Sequence, residues 1–286
     1  MMERDTFYHT YACVSFERWV RQMVLLYASL TTIPSRVNRT LERTLQSLVR
    51  QTQPFDRIMI TVPTVNMRGQ PCDSVNLDFL QKYPTVVCVR PAHDYGPIMK
   101  YIGGLEAIPT TDHDTWVFVC DDDQSYAPDL VARLWAQRQP HSVHASLMPE
   151  YRYMPVLQTL LGYRGVLLPR AALRAIAEEL HREGTLQSCC ALNDDVTASV
   201  YLRRRGYQLK DSHETNTTSF LLEEHEERQD ALHTLYAGNA PKLRDMFRCH
   251  WQLNRGPVLT VGILIVTGLL LVFALWLVVL WVLIKA

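Results

Sequence analysis

Three consecutive aspartates, Asp121, Asp122 and Asp123, follow directly on the apolar run Trp116 to Cys120 (WVFVC). Adjacent carboxylates repel one another by about 1 kcal/mol per exposed pair at ~4 Å, and by more once desolvated, unless a cation holds them. A divalent metal is the economical remedy. An all-oxygen ligand set favours Mg²⁺ or Mn²⁺ over zinc, with phosphate oxygens completing the shell. An acidic turn capping the next helix would present the same three residues. A second constellation is Asp94-Tyr95-Gly96-Pro97-Ile98-Met99-Lys100. Its Gly-Pro step permits close backbone approach ahead of a helix, and Lys100, about one turn in, suits a diphosphate that the metal also touches; a solvated lysine would give the same pattern. The third, Asn193-Asp194-Asp195, opens a helical stretch that ends in Arg203, Arg204 and Arg205. N-capping accounts for one of its acids and leaves a spare carboxylate.

These residues need a scaffold, and the patterning predicts one. Met23 to Ser29 is a buried strand, followed by a polar turn at Thr31 to Ser35 and a helix from Arg36 to about Gln51, whose Leu41, Leu45 and Leu48 share one face. Arg57 to Val62, Thr85 to Val89 and Trp116 to Cys120 are further strands, so strand, helix and strand alternate over short connections, which predicts a parallel sheet with crossovers. The aspartates then lie at the C-terminal end of a strand, where open parallel sheets bind ligands. A helix follows Asp129. Beyond Pro140 the pattern is less regular: Tyr163 to Leu168 suggests a strand, Ala171 to His181 an amphipathic helix, Asp194 to Arg204 a helix ended by Gly206, and Tyr207 to Lys210 a last strand. The acidic run Glu223 to Glu227 suggests a solvated helix face.

The chain has 286 residues, with 29 Lys and Arg balancing 29 Asp and Glu, which argues against nucleic-acid binding by bulk electrostatics. Seven cysteines without a C-x-x-C spacing argue against a zinc ribbon and against a secreted disulfide framework. Pro257 to Ile284 carries no charge over about 28 residues, more than the ~20 that cross a hydrocarbon core, and predicts one C-terminal transmembrane helix. Lys242, Arg244, Arg248 and Arg255 precede it and Lys285 alone follows, which by the positive-inside rule places the body in the cytosol. The first twenty residues carry acids and aromatics and no secretory signal. The expected organisation is an N-terminal extension over 1–22, a catalytic domain over 23–235, a basic juxtamembrane segment over 236–256 and the membrane helix over 257–284.

Taken in order, the motifs resemble the nucleotide-sugar glycosyltransferases of the GT-A fold, most like the inverting family two, over about Met23 to His213. VFVCDDDQSYAPDL resembles that family's strand and D-x-D metal motif, LNDDVTASVYLRRRGYQL its acidic pair followed by R-x-x-x-G-Y, and ASLTTIPSR its first strand and base-receiving turn. The resemblance implies an α/β fold, a Rossmann-like, mostly parallel sheet flanked by helices. It implies a base pocket at Thr32, Pro34 and Arg36, with Asp94 and Lys100 flanking the nucleotide and its phosphates. Asp121, with Asp122 beside it, would contact the ribose or sugar, Asp123 would hold Mn²⁺ or Mg²⁺ together with Asp121, and His213 would be a third metal ligand. Asp195 matches the family's general base, with Asp194 the close alternative, and Tyr163, Arg164 and Gly165 would form the acceptor floor.

The function implied is transfer of a sugar from a UDP- or GDP-linked donor to a glycan, lipid-linked or protein acceptor beside a membrane. Sugar-phosphate nucleotidyltransferases share the topology, but the glycine-rich opening they carry is missing, since Thr31 to Arg36 contains no glycine. A catalytically inactive membrane scaffold of the same fold is the reading from a different class; intact Asp121, Asp123 and Asp195 weigh against it.

Overall fold

The computed structural model describes residues 24–67, 69–73, 75–109, 114–148, 157–183, 190, 192–212, 219–221, 239–254, 267–269, 271–273 and 276. Nine strands are described: β1 (Leu26–Thr31), β2 (Arg57–Thr61), β3 (Val86–Val89), β4 (Trp116–Val119), β5 (Gln124–Tyr126), β6 (Ser142–Ala145), β7 (Val166–Pro169), β8 (Gln208–Asp211) and β9 (Ser219–Leu221). Seven of them form the central sheet, in the order β3-β2-β1-β4-β7-β6-β8. The predicted parallel sheet holds with one exception: β7 runs antiparallel to both β4 and β6. A separate two-stranded ribbon pairs β5 with β9.

Six helices complete the described layers: α1 (Glu42–Val49), α2 (Met99–Ile102), α3 (Leu130–Gln137), α4 (Arg170–Glu183), α5 (Asp194–Arg204) and α6 (Asn239–Leu253). An α-helical turn at Pro34–Arg36 and a π-helical turn at Val37–Leu41 lead into α1, so the long helix expected here is formed in three segments of two geometries. The run Tyr163 to Leu168, expected as one strand, is a 3-10 turn at Gly162–Arg164 followed by β7. Gly165 separates the two at a φ of +91°, and a Cβ there would sit 2.4 Å from the Phe118 ring, so a residue with no side chain is required before the reversed strand can begin.

Alternation along the strands divides the core into two. Leu26, Ala28, Leu30, Ile58, Ile60, Trp116 and Phe118 face Leu41, Leu45 and Leu48 of the first helical stretch and Leu130, Val131 and Leu134 of α3. Each of those leucines, fully buried, contributes about 1.5–3 kcal/mol. Tyr27, Val117, Val119, Val143, Val166 and Leu168 face the opposite way, onto α2, α4, α5 and α6. Both faces of the central strands are therefore dry, which is why they are near-continuous apolar runs in the sequence.

The residues 236–256, expected as a juxtamembrane segment, contain α6, whose Met246, Cys249 and Leu253 enter the second core. His250, fully buried, meets Thr159 at 3.0 Å. No helix among the described residues is long and apolar enough to cross a membrane. The extension 1–22, the acidic run 223–227 and most of the apolar run 257–284 lie outside the described residues.

Burial, aided by Arg203, pushes the His250 imidazole down to about 4. A histidine held neutral by folding binds fewer protons than in the unfolded chain, so its cost is absent above the unfolded value of about 6.5 and grows as pH falls from there towards 4. His250→Gln is expected to flatten the loss of stability between about pH 6.5 and 4, measured by urea unfolding across that range; an unchanged slope would mean that other groups carry it.

Candidate functional site

Order reversal in the sheet creates the site. From β1 the chain crosses to β2 on one side and later to β4 on the other, so the C-terminal ends of β1 and β4 flank the crevice where open sheets bind ligands. Thr32, Pro34 and Arg36 leave β1 there, and Asp121, Asp122 and Asp123 leave β4.

The centre of the site is Lys100, on the short helix α2. The Ser29 hydroxyl of β1 donates to the Lys100 carbonyl at 2.7 Å, which fixes the helix against the strand. The Lys100 ammonium is almost fully buried and lies 2.8 Å from Asp121 Oδ1, 2.8 Å from Asp194 Oδ2 and 3.4 Å from Asp195 Oδ1. Burial opposes its charge, but these three carboxylates together hold its pKa well above the usual lysine value. The solvated lysine allowed by the sequence is thus replaced by a buried ammonium that joins the second and third constellations to the first.

Asp195 is held by groups that no sequence pattern marks. The Gly162 amide donates to Asp195 Oδ2 at 3.0 Å, and the Tyr101 hydroxyl to Oδ1 at 3.3 Å. A Cβ on Gly162 would lie 2.3 Å from Asp195 Oδ1 and 2.6 Å from Lys100 Nζ, so only glycine lets the backbone come this near. Burial raises Asp195 to about 7; Lys100 pulls it down, while Asp194 and Asp121 push it up further. The donor from Gly162 is itself positioned by α5, because the Leu160 amide donates to Ser199 Oγ at 2.9 Å.

Arg36 forms the second electrostatic centre. Its Nη1 donates to Asp122 Oδ1 at 2.6 Å, and its Nη2 lies 3.4 Å from Asp123 Oδ2. Asp122 is raised to about 6 by burial, with Arg36 opposing and Asp123 adding to the shift. The Thr32 hydroxyl favours the Asp122 charge, yet among the described residues neither Thr32 Oγ1 nor Asp122 Oδ2 has a partner at hydrogen-bond length. Gln124 Nε2 donates to Asp123 Oδ1 at 3.2 Å, and Thr44 Oγ1 to the Asp122 carbonyl at 2.9 Å. The turn after β4 is therefore tied to α1.

The remaining predicted residues divide. Both oxygens of Asp94 accept backbone amides, from Met67 at 2.7 Å and Gly96 at 2.8 Å, so its carboxylate shapes the loop that leads to Lys100. Tyr163 is exposed, with the Arg164 guanidinium over its ring at 5.6 Å. The Tyr126 hydroxyl accepts from the Asp121 amide at 3.0 Å and donates to the Tyr163 carbonyl at 3.1 Å, which brings the Tyr163 to Gly165 turn to the rim of the acidic cluster. His213 lies outside the described residues. Among the described residues, no group of three or more His, Cys, Asp or Glu side chains is arranged to hold a metal ion.

No protein-family model matches the chain, and no curated protein matches it. Among solved structures it is similar to the 2-C-methyl-D-erythritol 4-phosphate cytidylyltransferase (IspD) of Francisella tularensis, with 12% identity over 71% of this chain and 94% of that one and a TM-score of 0.43. It is similar to the catalytic domain of Drosophila beta1,4-galactosyltransferase 7 in complex with xylobiose, with 13% identity, 72% and 74% coverage and a TM-score of 0.43. A third is an active-site mutant of LgtC, with 12% identity, 58% and 66% coverage and a TM-score of 0.35.

Removing a buried charge from a shared cluster leaves its partners uncompensated, at a cost of about 3–5 kcal/mol. Lys100→Met is expected to destabilise the fold by that order, and adding Asp194→Asn to recover part of the loss. Denaturant midpoints of the single and double variants measure it; a double variant less stable than Lys100→Met alone would show that Asp194 does not depend on Lys100.

Proposed function

We propose that the chain is a membrane-anchored, metal-dependent inverting glycosyltransferase that moves a sugar from a UDP- or GDP-linked donor to a glycan, lipid-linked or protein acceptor. The observation that carries this reading is the convergence of Asp121, Asp194 and Asp195 on the buried Lys100 at the C-terminal ends of β1 and β4. Carboxylates from two distant stretches, with a buried cation between them, put a proton acceptor beside a group able to bind phosphate.

Asp195 is the base in this reading. Its Oδ2 is fixed by the Gly162 amide, while its Oδ1 keeps only longer contacts with Tyr101 and Lys100 and so retains a lone pair for an acceptor hydroxyl. A carboxylate raised towards neutrality is well placed to take that proton as the hydroxyl attacks the anomeric carbon. Asp194, more buried and closer to Lys100, holds the ammonium in place. Lys100 faces the charge that develops on the departing diphosphate, and Thr32, Pro34 and Arg36 line the side from which the base would enter. Attack from the face opposite the leaving group inverts the anomeric centre.

What supports a hard divalent cation in this reading is the excess of carboxylate over cation. One ammonium meets three carboxylates, and among the described residues the buried Asp122 Oδ2 has no donor at hydrogen-bond length. Asp123 and Asp121 would hold Mn²⁺ or Mg²⁺, with His213 a further ligand, and a bound ion would offset the charge of the leaving diphosphate. Residues 257–284 would span the membrane with the body on the cytosolic side, keeping donor and acceptor at the same surface.

Two variants of the full chain test the assignment. Asp123→Ala is expected to abolish the Mn²⁺-dependent thermal shift given by UDP or GDP; an unaltered shift would remove Asp123 from the metal site. Asp195→Asn is expected to preserve that shift and to lower transfer by about 10²- to 10⁴-fold. Proton NMR of the product should show the anomeric configuration opposite to the donor's, and retention would overturn the inverting mechanism.

A further inference from the structure

Helix α6 has two dissimilar faces. Met246, Cys249, His250 and Leu253, at helical spacing, are buried in the protein. Arg244, Phe247, Arg248 and Trp251, also at i, i+3, i+4 and i+7, are exposed on the other side. Phe247 is 48% exposed and Trp251 42%, and among the described residues before 257 no other phenylalanine or tryptophan is exposed to this degree. Phe55, Phe118 and Trp116, by contrast, are buried in the core. Two large apolar rings set between two arginines on one helical stripe form a pattern that suits the boundary between lipid headgroups and acyl chains.

We propose that this outer face of α6 is a membrane-docking surface, which inserts Phe247 and Trp251 at the acyl boundary and binds anionic phospholipid headgroups through Arg244 and Arg248. The inference rests on the reading of 257–284 as a membrane span. Four residue steps separate Leu253 from Pro257, so the end of α6 lies within about 14 Å of the start of the apolar run. The C-terminal end of a helix tethered so closely to a spanning segment stays within reach of the bilayer surface. Arg248 has a partner in Asp245 at 3.7 Å, a long and exposed pair of little energetic weight that a phosphate can displace.

Docking would also aim the site. The inner face of α6 is pinned to the elements that carry the acidic cluster: Cys249 Sγ lies 3.6 Å from Thr197 Oγ1 of α5, and the Cys190 thiol donates to Gln252 Oε1 at 3.7 Å. Asp194 and Asp195 open α5 itself. Once α6 lies flat on the bilayer, the orientation of the proposed base towards the membrane is set, and an acceptor whose tail stays in the lipid can be presented to it.

The test uses the full chain reconstituted in nanodiscs, either of POPC alone or of two parts POPC to one part POPG. The photoreactive residue benzoylphenylalanine replaces Phe247 or Trp251, and, as the reference for the span, Leu271; adducts are identified by mass. Lipid adducts at 247 and 251, several-fold more abundant with POPG and reduced to the POPC level by Arg244→Glu with Arg248→Glu, are the expected result. Lipid adducts at 271 with none at 247 or 251 would overturn the docking surface and leave the span intact. Absence of lipid adducts at 271 would overturn the span and, with it, this inference. Adducts at 247 or 251 to a second copy of the chain would assign the face to self-association instead.

Discussion

A single ammonium, that of Lys100, is the constraint around which one end of the molecule is built. Stripping a lysine of water is costly, and only a close set of carboxylates offsets it. Asp121 comes from the end of β4, whereas Asp194 and Asp195 come from the start of α5 more than seventy residues later. Meeting at one buried cation forces these elements into register with each other. Ser29 anchors the helix that carries Lys100 to β1, Tyr126 anchors the backbone of Asp121, and Ser199 anchors the turn that delivers the Gly162 amide. The cluster is in this sense both the centre of the candidate site and the fastening of the sheet to the helices on one side.

Much of this was legible in the residues because each feature had a local cause. Dry parallel strands must be apolar throughout, so β1, β2 and β4 stand out, and charged residues just after β4 mark a strand end at the sheet's rim. Helix α5 was bounded correctly because Asn193 and Gly206 flank it. The seven-stranded sheet is mostly parallel and flanked by helices, as expected. Strand β6 was not legible: Ser142-Val143-His144-Ala145 is half polar, and His144 is buried through a contact of its ring with Ser142 Oγ at 2.7 Å, which no periodicity reveals. The reversal of β7 depends on the close approach of Gly165 to Phe118, a tertiary event. Helix α6, with Pro241 and many charges, looks like a basic linker until its inner face is seen against α5.

The site was legible as a set of residue types and illegible as a geometry. Aspartates and a lysine can be named from their spacing, but which oxygen meets which cation depends on backbone approach. Gly162 contributes an amide and the absence of a side chain, and Tyr101 adds a hydroxyl from the residue next to Lys100; neither leaves a distinctive mark in a single sequence. The resemblance places Asp94 beside the nucleotide, and in the structure both of its oxygens accept backbone amides and shape the loop that leads to Lys100. Arg36 lies against Asp122 and Asp123, so its guanidinium belongs to the electrostatics of the acidic turn.

The reversed strand has an effect on how such a molecule can diversify. Because β6 ends at the rim that carries the cluster and β7 starts from that same rim, the connection between Ala145 and Val166 leaves and returns at one edge of the sheet. Its last part is held in place, by the Leu160 amide on Ser199 and the Gly162 amide on Asp195, so a change of length between Met148 and Leu157 is the kind that alters no strand pairing and moves no carboxylate. The fold thus separates a fixed charged centre from a connection of adjustable length beside it, and insertion there can reshape the rim while the charge balance at Lys100 stays untouched.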